Sequence, residues 1–576
     1  MSGSIRIDRD VPMRMRDGTV LRADVYRPGG TGRVPAILVR TPYNKDLADN
    51  GNFSPLPFAK AGYAVVIQDI RGRFASEGVW ERHRMFEVEA LDGYDSVEWI
   101  AAEPWCDGRV GLAGASYLTA LQWIAAMAQP PHLKAFSPQV GDINTNIAPP
   151  RESGAVNFYA AANAVPLTAM DLVDRLEKQG EDVAEMRRYL ELAERDPDWV
   201  LHYLPFKEIP LARFEPIRLM LDQRLNPPSW EEVEKRRRYE RVTVPGLHIA
   251  GWFDQLESVQ FQHYRRLRER AGSEAARACQ HLLVGPWCHL GPMLFLGDME
   301  FGRSAVEEKL SHHLRFFDRY LRDRDIGLPR VRYFVMGLNL WRDAEDWPPP
   351  GTRWIRFHLR SGGSANGVRG DGRLSLEEPG REPPDTFVYD PHNPVPTVGG
   401  RLLPFAGLLP GPRDQSVVED RPDVLVYTSE ELPGDLEVTG PLEVRLFVST
   451  SAVDTDFTVK LTDVHPDGRS ILIADGIQRG RWRNWGSEPE LMTPGRVYEF
   501  RILLGNMSMV FRRGHRLRLT VSSSNFPLYD RNMNTGNAMG EDSAGVKAVQ
   551  CVYHEAGRAS FIELPVNPES PVLERW

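Results

Sequence analysis

From Gly108 to Ala126 the chain reads GRVGLAGASYLTALQWIAA. Val110 to Ala113 is an apolar run of the buried-strand kind, and from Leu118 onward the pattern is helical, with Ser116 at the join. The same alternation fills the first 145 residues. TVLRADVYRP (19–28) alternates like a strand, and VPAILVRTPY (34–43) and YAVVIQDIRG (63–72) are apolar runs suited to buried parallel strands. Between them PLPFAKAG carries a short helix ending at Gly62. EALDGYDSVEWIAAE (89–103) sets Leu91, Tyr94, Val97 and Ile100 at helical spacing, and LKAFSPQVGD (133–142) follows the second helix. Strands alternating with helices predict an α/β fold, a parallel sheet with helices on both faces.

The pattern then changes twice. From about 146 to 240 strand signals disappear; TAMDLVDRLEKQGEDVAEMRRYLELAERD (168–196) and SWEEVEKRRRYER (229–241) read as helices, so a helical insertion is expected. VPGLHIAGWFD (244–254) and HLLVGPWCH (281–289) restore the strand pattern, each ending on a polar tip, and SAVEEKLSHHLRFFDRYLRD (304–323) reads as a closing helix. After about 350, RWIRFHL, LEVRLFVS, FTVKLTDVHPDG, YEFRILL and HRLRLTVSSS alternate between Gly/Pro turns, which predicts a β-sandwich.

At 576 residues the chain has room for several domains, and 42% hydrophobic with 26% charged residues is ordinary for a globular protein. The formal charge of −9, with no long basic run, argues against nucleic-acid or anionic-membrane partners. No run of about 18 apolar residues occurs, so no membrane span is expected. Cys106, Cys279, Cys288 and Cys551 form no C-x-x-C pair, and the first residues lack a secretory apolar core; a cytoplasmic location is expected. His312 and His313 lie in a helical segment without a spaced carboxylate, and no phosphate-cradling glycine motif opens a helix. No metal and no cofactor is therefore expected.

In an open parallel sheet, ligand sites form at the carboxyl ends of strands. Tyr43, Ser116, Asp254 and His289 occupy such ends. Gly114 permits the tight turn that would expose the Ser116 hydroxyl. The chain order Ser, Asp, His is that of the α/β-hydrolases. In that reading Ser116 is the nucleophile, His289 the general base, and Asp254 the group that fixes its tautomer, with Glu257 as the rival acid. An oxyanion needs two donors; the Tyr117 backbone N–H and the Tyr43 hydroxyl are the candidates. Trp252, Leu256 and Trp287 flank these residues and are candidates for pocket walls, with core packing as their competing role. His248 and His281 lie within apolar runs and read as core residues.

RTPYNK, QDIRGRFASEG, EALDGYDSVEWIAAEPWCDGRVGLAGASY, GWFD, GPWCHLGP and GHRLRLTVSSSNFPLYDRNMNTG span nearly the whole chain. Together they resemble the cocaine-esterase-like serine hydrolases, relatives of the X-prolyl dipeptidyl peptidases and of the cephalosporin and α-amino-ester acylases. The resemblance implies an α/β-hydrolase catalytic domain over 1–145 and 241–350, a helical cap over 146–240, and a C-terminal jelly-roll over 351–576. It assigns the same roles to Ser116, Asp254, His289, Tyr43 and Tyr117. It implies an acyl-enzyme route on a small ester or amide and leaves a homodimer open. The family's elbow reads G-x-S-Y-x-G, so the departure is Thr119 in place of glycine. An X-prolyl dipeptidyl aminopeptidase, a β-lactam acylase or α-amino-ester hydrolase, and a binding protein with a vestigial site stay open. Leu118 and Thr119 supply no carboxylate to grip a substrate amine, which favours a neutral acyl ester or amide.

Overall fold

The structure is a computed structural model that describes residues 4–30, 32–47, 53–81, 84–143, 153–225, 230–403, 407–484 and 487–574. In chain order the first strands are β1 (Ile5–Arg14), β2 (Val20–Pro28), β3 (Val34–Thr41), β4 (Ala64–Asp69), β5 (Cys106–Ala115), β6 (Leu133–Gln139), β7 (Gly246–Phe253) and β8 (Gln280–Cys288). A two-residue hairpin, β9 (Phe295–Leu296) and β10 (Met299–Glu300), precedes β11 (Val331–Val335) and β12 (Leu340–Ala344). Apart from that hairpin they form one sheet, ordered β1-β2-β4-β3-β5-β6-β7-β8-β11-β12. The strands from β4 to β11 in this order run parallel. Contrary to an all-parallel expectation, β1, β2 and β12 join antiparallel at the two edges.

Helices cover both faces. α1 (Pro55–Lys60), α2 (Met85–Ala102) and α3 (Tyr117–Ala128) follow β3, β4 and β5; α9 (Glu257–Arg270) and α10 (Glu274–Ala278) lie between β7 and β8, and α11 (Arg303–Arg322) precedes β11. Strand side chains alternate between the two layers: Ala36 and Leu38 join a core with Val97, Leu121 and Leu267, while Ile37 and Val39 join one with Phe58, Phe316 and Phe317. Each central strand is thus buried on both sides, which is why it reads as a continuous apolar run. The buried face of α2 is the expected one at Val97 and Ile100 but not in its first half. Leu91 is exposed, whereas Glu89, Asp92 and Ser96 are buried. The reason lies in the sheet beneath: Arg40 bonds Glu89 at 2.7 Å and Gln68 bonds Ser96 at 2.8 Å, and Arg71 from the loop after β4 bonds Asp92 at 2.6 Å.

Among the described residues, five α-helices interrupt the sheet between β6 and β7: α4 (Phe158–Lys178), α5 (Ala184–Arg195), α6 (Pro197–His202), α7 (Glu215–Leu225) and α8 (Trp230–Arg236). The segment read as one helix from 168 to 196 is two, parted at Gly180, whose φ is +90°. The expected start of the insertion at residue 146 lies outside the described residues. Its core packs Phe158, Val173, Leu190 and Phe206 together with Phe526 and Leu528 from the carboxyl-terminal part.

That part is β apart from one short helix, Ser416–Glu419, and two 3-10 turns: β13 (Arg353–Arg360), β14 (Arg373–Ser375), β15 (Asp385–Tyr389), β16 (Leu425–Thr428), β17 (Leu436–Thr450), β18 (Asp456–Val464), β19 (Ser470–Arg479), β20 (Tyr498–Phe511), β21 (Arg516–Ser522), β22 (Ala548–Tyr553) and β23 (Phe561–Val566). Its hydrogen bonds follow the path β15-β22-β17-β23-β13-β14-β16-β21-β18-β19, with β20 added to β17. The path folds back on itself. Phe457 on β18 meets Phe500 on β20 edge-on at 5.2 Å, although these strands are not paired. Two layers therefore close over one apolar core, a sandwich.

Candidate active site

Parallel order brings the carboxyl ends of β3, β5, β6, β7 and β8 to one edge. Ser116 sits between β5 and α3 with φ 61° and ψ −124°, a conformation costing about 1–3 kcal/mol for a side-chain-bearing residue. Neighbouring bonds hold it there. The Ser116 N–H donates to the Gln139 carbonyl at 3.0 Å, and Gln122 Nε2 donates to the Gly114 carbonyl at 2.7 Å. A β-carbon on Gly114 would stand 2.8 Å from the Leu118 side chain, so the approach of strand to helix requires glycine.

Thr119 has a defined task. Its Oγ1 donates to the Gln139 carbonyl at 2.6 Å and accepts the Gln139 N–H at 3.0 Å, so one hydroxyl closes the end of β6 against the first turn of α3. Gly141 makes room for it: a β-carbon there would lie 2.6 Å from Thr119 Cβ and collide with the Ser116 carbonyl. Gln122, which the sequence reading passed over, does similar work by accepting the Ser137 N–H at 3.1 Å.

Phe253 and Cys288 are register partners, so Asp254 and His289 leave adjacent strands side by side. His289 Nδ1 lies 2.7 Å from Asp254 Oδ2, and Asp254 Oδ1 accepts the Leu256 N–H at 2.7 Å. With both oxygens engaged and no exposure, the carboxylate is fixed, and the imidazole with it. A neutral ring donating from Nδ1 carries its basic lone pair on Nε2. Burial first, then the Asp254 charge, pushes the adjacent Cys288 thiol up to about 11, so it stays protonated.

Glu257 does not compete for His289. Its Oε1 accepts the Asn506 N–H at 3.1 Å, its Oε2 accepts the Ser258 hydroxyl at 2.8 Å, and Arg401 stands 3.9 Å away. It ties the start of α9 to β20.

Tyr43 follows β3, the neighbour of β5, and its ring meets that of Tyr117 edge-on at 6.4 Å. The Tyr117 amide opens α3, where N–H groups lie outside the i→i−4 ladder. The loop carrying Tyr43 is braced throughout. Tyr43 N–H donates to Thr41 Oγ1 at 3.0 Å, Lys45 N–H donates to Asp69 Oδ1 at 2.7 Å, and Arg73 Nε donates to the Pro42 carbonyl at 3.1 Å. Arg73 is buried, and its Nε lies 3.4 Å from Asp171 on α4, so the inserted helices share this brace.

Trp252 and Trp287 are not pocket walls. The Trp252 indole donates to the Phe334 carbonyl at 2.9 Å and lies against Phe261 and Trp347; that of Trp287 donates to the Ala305 carbonyl at 2.7 Å. Both fill core between layers, because that is where their N–H groups find acceptors. Leu256 is also buried, and its N–H serves Asp254. His248 and His281 are core residues, as are His312 and His313. The pair does have a carboxylate at helical spacing: Glu308 lies 3.5 Å from His312 and also binds Arg332. The four cysteines are free thiols, and among the described residues no helix is long and apolar enough to cross a membrane.

Residues 17–291 match the family described as X-Pro dipeptidyl-peptidase (S15 family), and residues 326–563 match its C-terminal non-catalytic domain. The chain is 40% identical to a cocaine esterase from Rhodococcus sp. strain MB1 Bresler, over 98% of this chain and 99% of that one. An aminopeptidase from a marine sediment archaeon, Thaumarchaeota archaeon, superposes with a TM-score of 0.78 at 26% identity, covering 98% of this chain and 97% of the other. An α-amino acid ester hydrolase shares the fold with a TM-score of 0.76 at 24% identity and the same coverage.

Proposed function

The chain belongs to the X-Pro dipeptidyl-peptidase (S15) family and is a serine ester hydrolase, and from that premise we propose that Ser116, His289 and Asp254 are its catalytic triad. The observation that carries this reading is the 2.7 Å bond between His289 and a fully buried Asp254, on the sheet edge where Ser116 is held in a strained turn. Ser116 Oγ attacks the acyl carbon while His289 Nε2 takes its proton. Asp254 stabilises the resulting imidazolium. The Tyr43 hydroxyl and the Tyr117 N–H donate to the oxyanion. The imidazolium then protonates the leaving alcohol, and water cleaves the acyl-enzyme by the same route reversed.

We read the substrate as a neutral acyl ester. Gripping a free amine takes an uncommitted carboxylate, and among the described residues Asp142, Asp171 and Glu257 near this edge are engaged. Asp142 lies 3.0 Å from Arg237, Asp171 lies beside Arg73 and Arg175, and Glu257 beside Arg401. The 40% identical relative is named for cocaine, whose benzoyl ester is therefore the first substrate class to try. The carboxyl-terminal sandwich is read as a jelly-roll.

Ser116→Ala should lower kcat on a p-nitrophenyl ester by roughly 10⁴–10⁶-fold with the protein still folded, and a fluorophosphonate should label the wild type alone. Retention of most activity in the variant would sink the assignment. Among substrates, aryl and benzoyl esters should turn over whether or not they carry an amine. An absolute requirement for a free amine would instead establish an aminopeptidase.

A further inference from the structure

Away from the hydrolytic edge, the sandwich brings together three side chains that the reaction does not use. Asp463 lies near the end of β18, His465 begins the turn into β19, and His515 stands just ahead of β21. His515 Nδ1 is 2.9 Å from Asp463 Oδ1 and 3.0 Å from Oδ2; His465 Nε2 is 3.4 Å from Asp463 Oδ2. The two imidazole rings lie side by side, 4.4 Å between centroids. One donor atom from each of the three residues falls within 4.8 Å of the others.

We infer that Asp463, His465 and His515 form a binding site for a divalent transition-metal ion of the zinc class. The donor set is two imidazole nitrogens and one carboxylate oxygen, which suits zinc, nickel or copper; calcium and magnesium seek oxygen ligands. In a tetrahedral zinc site with bonds of about 2.0–2.2 Å, neighbouring donors stand roughly 3.3 Å apart. The separations at Asp463 lie within a few tenths of an ångström of that value. Three protein ligands leave a fourth position for water.

The charge balance points the same way. The Asp463 side chain is 2% exposed, and a buried carboxylate needs a charged partner. Among the described residues no lysine or arginine pairs with it. The nearby arginines are committed elsewhere: Arg469 to Asp467, Arg512 to Asp435 and Arg516 to Glu431. Arg469 also reaches His465 Nδ1 at 3.5 Å, and it can keep Asp467 when that nitrogen takes the proton that metal binding moves from Nε2. The ligands are well anchored. His465 N–H donates to the Arg469 carbonyl at 2.9 Å and His515 N–H to the Arg512 carbonyl at 3.0 Å, closing two tight turns. A bound ion would staple the β18–β19 turn to the β20–β21 turn.

Full-length enzyme stripped with a chelator and titrated calorimetrically with zinc chloride should bind one equivalent per chain and melt at a higher temperature. His465→Ala, at a partly exposed turn, should weaken that binding by about 100-fold or more, abolish the thermal shift, and leave p-nitrophenyl ester turnover unchanged. Asp463→Asn, nearly the same shape, should do likewise; circular dichroism and ester turnover certify that each variant folds. Cobalt(II) should give visible d–d bands in the wild type that His465→Ala lacks. Failure of zinc to bind the wild type, or equal binding by wild type and both variants, would overturn the site. Equal binding accompanied by zinc inhibition of turnover would place the ion at His289 instead.

Discussion

Thr119 shows how much one hydroxyl can hold. Its Oγ1 serves both backbone polar groups of Gln139, whose carbonyl also receives the Ser116 N–H. Thr119→Val keeps the shape and removes the bonds, leaving a buried N–H without that acceptor. It should cost about 1–3 kcal/mol in denaturant unfolding, whereas Thr119→Ser should cost little. Equal losses in the two variants would mean that packing is what matters. Nothing in the sequence signals this bond, because it exists only once β5 and β6 are paired. Ser116, Asp254 and His289, the proposed triad, each follow an apolar run, a local signal that buried parallel strands leave in the sequence. The sequence leaves Trp252 and Trp287 between pocket wall and core, because closeness to Asp254 and His289 along the chain does not say which layer an indole enters. That depended on acceptors at Phe334 and Ala305, beyond local reach.

Among elements, the junction of α4 with the Tyr43 loop matters most. Arg73 bridges the Pro42 carbonyl and Asp171, while Arg175 of α4 donates to the Phe74 carbonyl at 2.6 Å. The inserted helices thus hold the loop that carries the proposed oxyanion donor. Tyr43→Phe should lower kcat on the order of 10²–10³-fold. Arg73→Lys, which keeps the charge and loses the Nε donor, should lower kcat roughly tenfold with little change in KM. The double variant should fall short of the product of the two, since both act on one interaction; a full product would separate Arg73 from Tyr43. The alternation of strand and helix was plain in the sequence, but two elements were obscured. β1 is broken by a bulge between Asp8 and Val11, with Asp10 at φ 51°, which scrambles its period of two. The inner face of α2 is polar at Glu89, Asp92 and Ser96, where Arg40, Gln68 and Arg71 meet it, so hydrophobic spacing finds Val97 and Ile100 and misplaces Leu91.

For the whole molecule, acidity acts through the sandwich. His554 Nε2 lies 2.8 Å from Asp385 and Nδ1 3.2 Å from Glu382. Burial alone would lower this histidine, but the two carboxylates outweigh it and raise it above its ordinary 6.5. A raised histidine binds its proton more tightly when folded. Its stabilisation is therefore complete below pH 6.5 and is lost as pH rises through the higher folded value. Urea unfolding of wild type and His554→Gln should show the gap between them narrowing as pH climbs past that value. Parallel curves would remove His554 from the account. This cluster is invisible in the sequence, since its members come from two strand neighbourhoods, β15 and β22, that lie about 170 residues apart and meet only when those strands pair.

The helical insertion between β6 and β7 divides the proposed triad along the chain, with Ser116 before it and Asp254 and His289 after it. Its α4–α5 turn, at Gly180 to Asp182, is exposed. A chain cut there would become two polypeptides, one bringing the nucleophile and the other the acid and base. Neither half could turn over an ester by itself. The two would have to find each other through the β6–β7 pairing and the packing of α4 against α5 and α7. Hydrolysis would then become second order in protein, and this enzyme would work as a reporter of whether two other molecules, each fused to a half, have met.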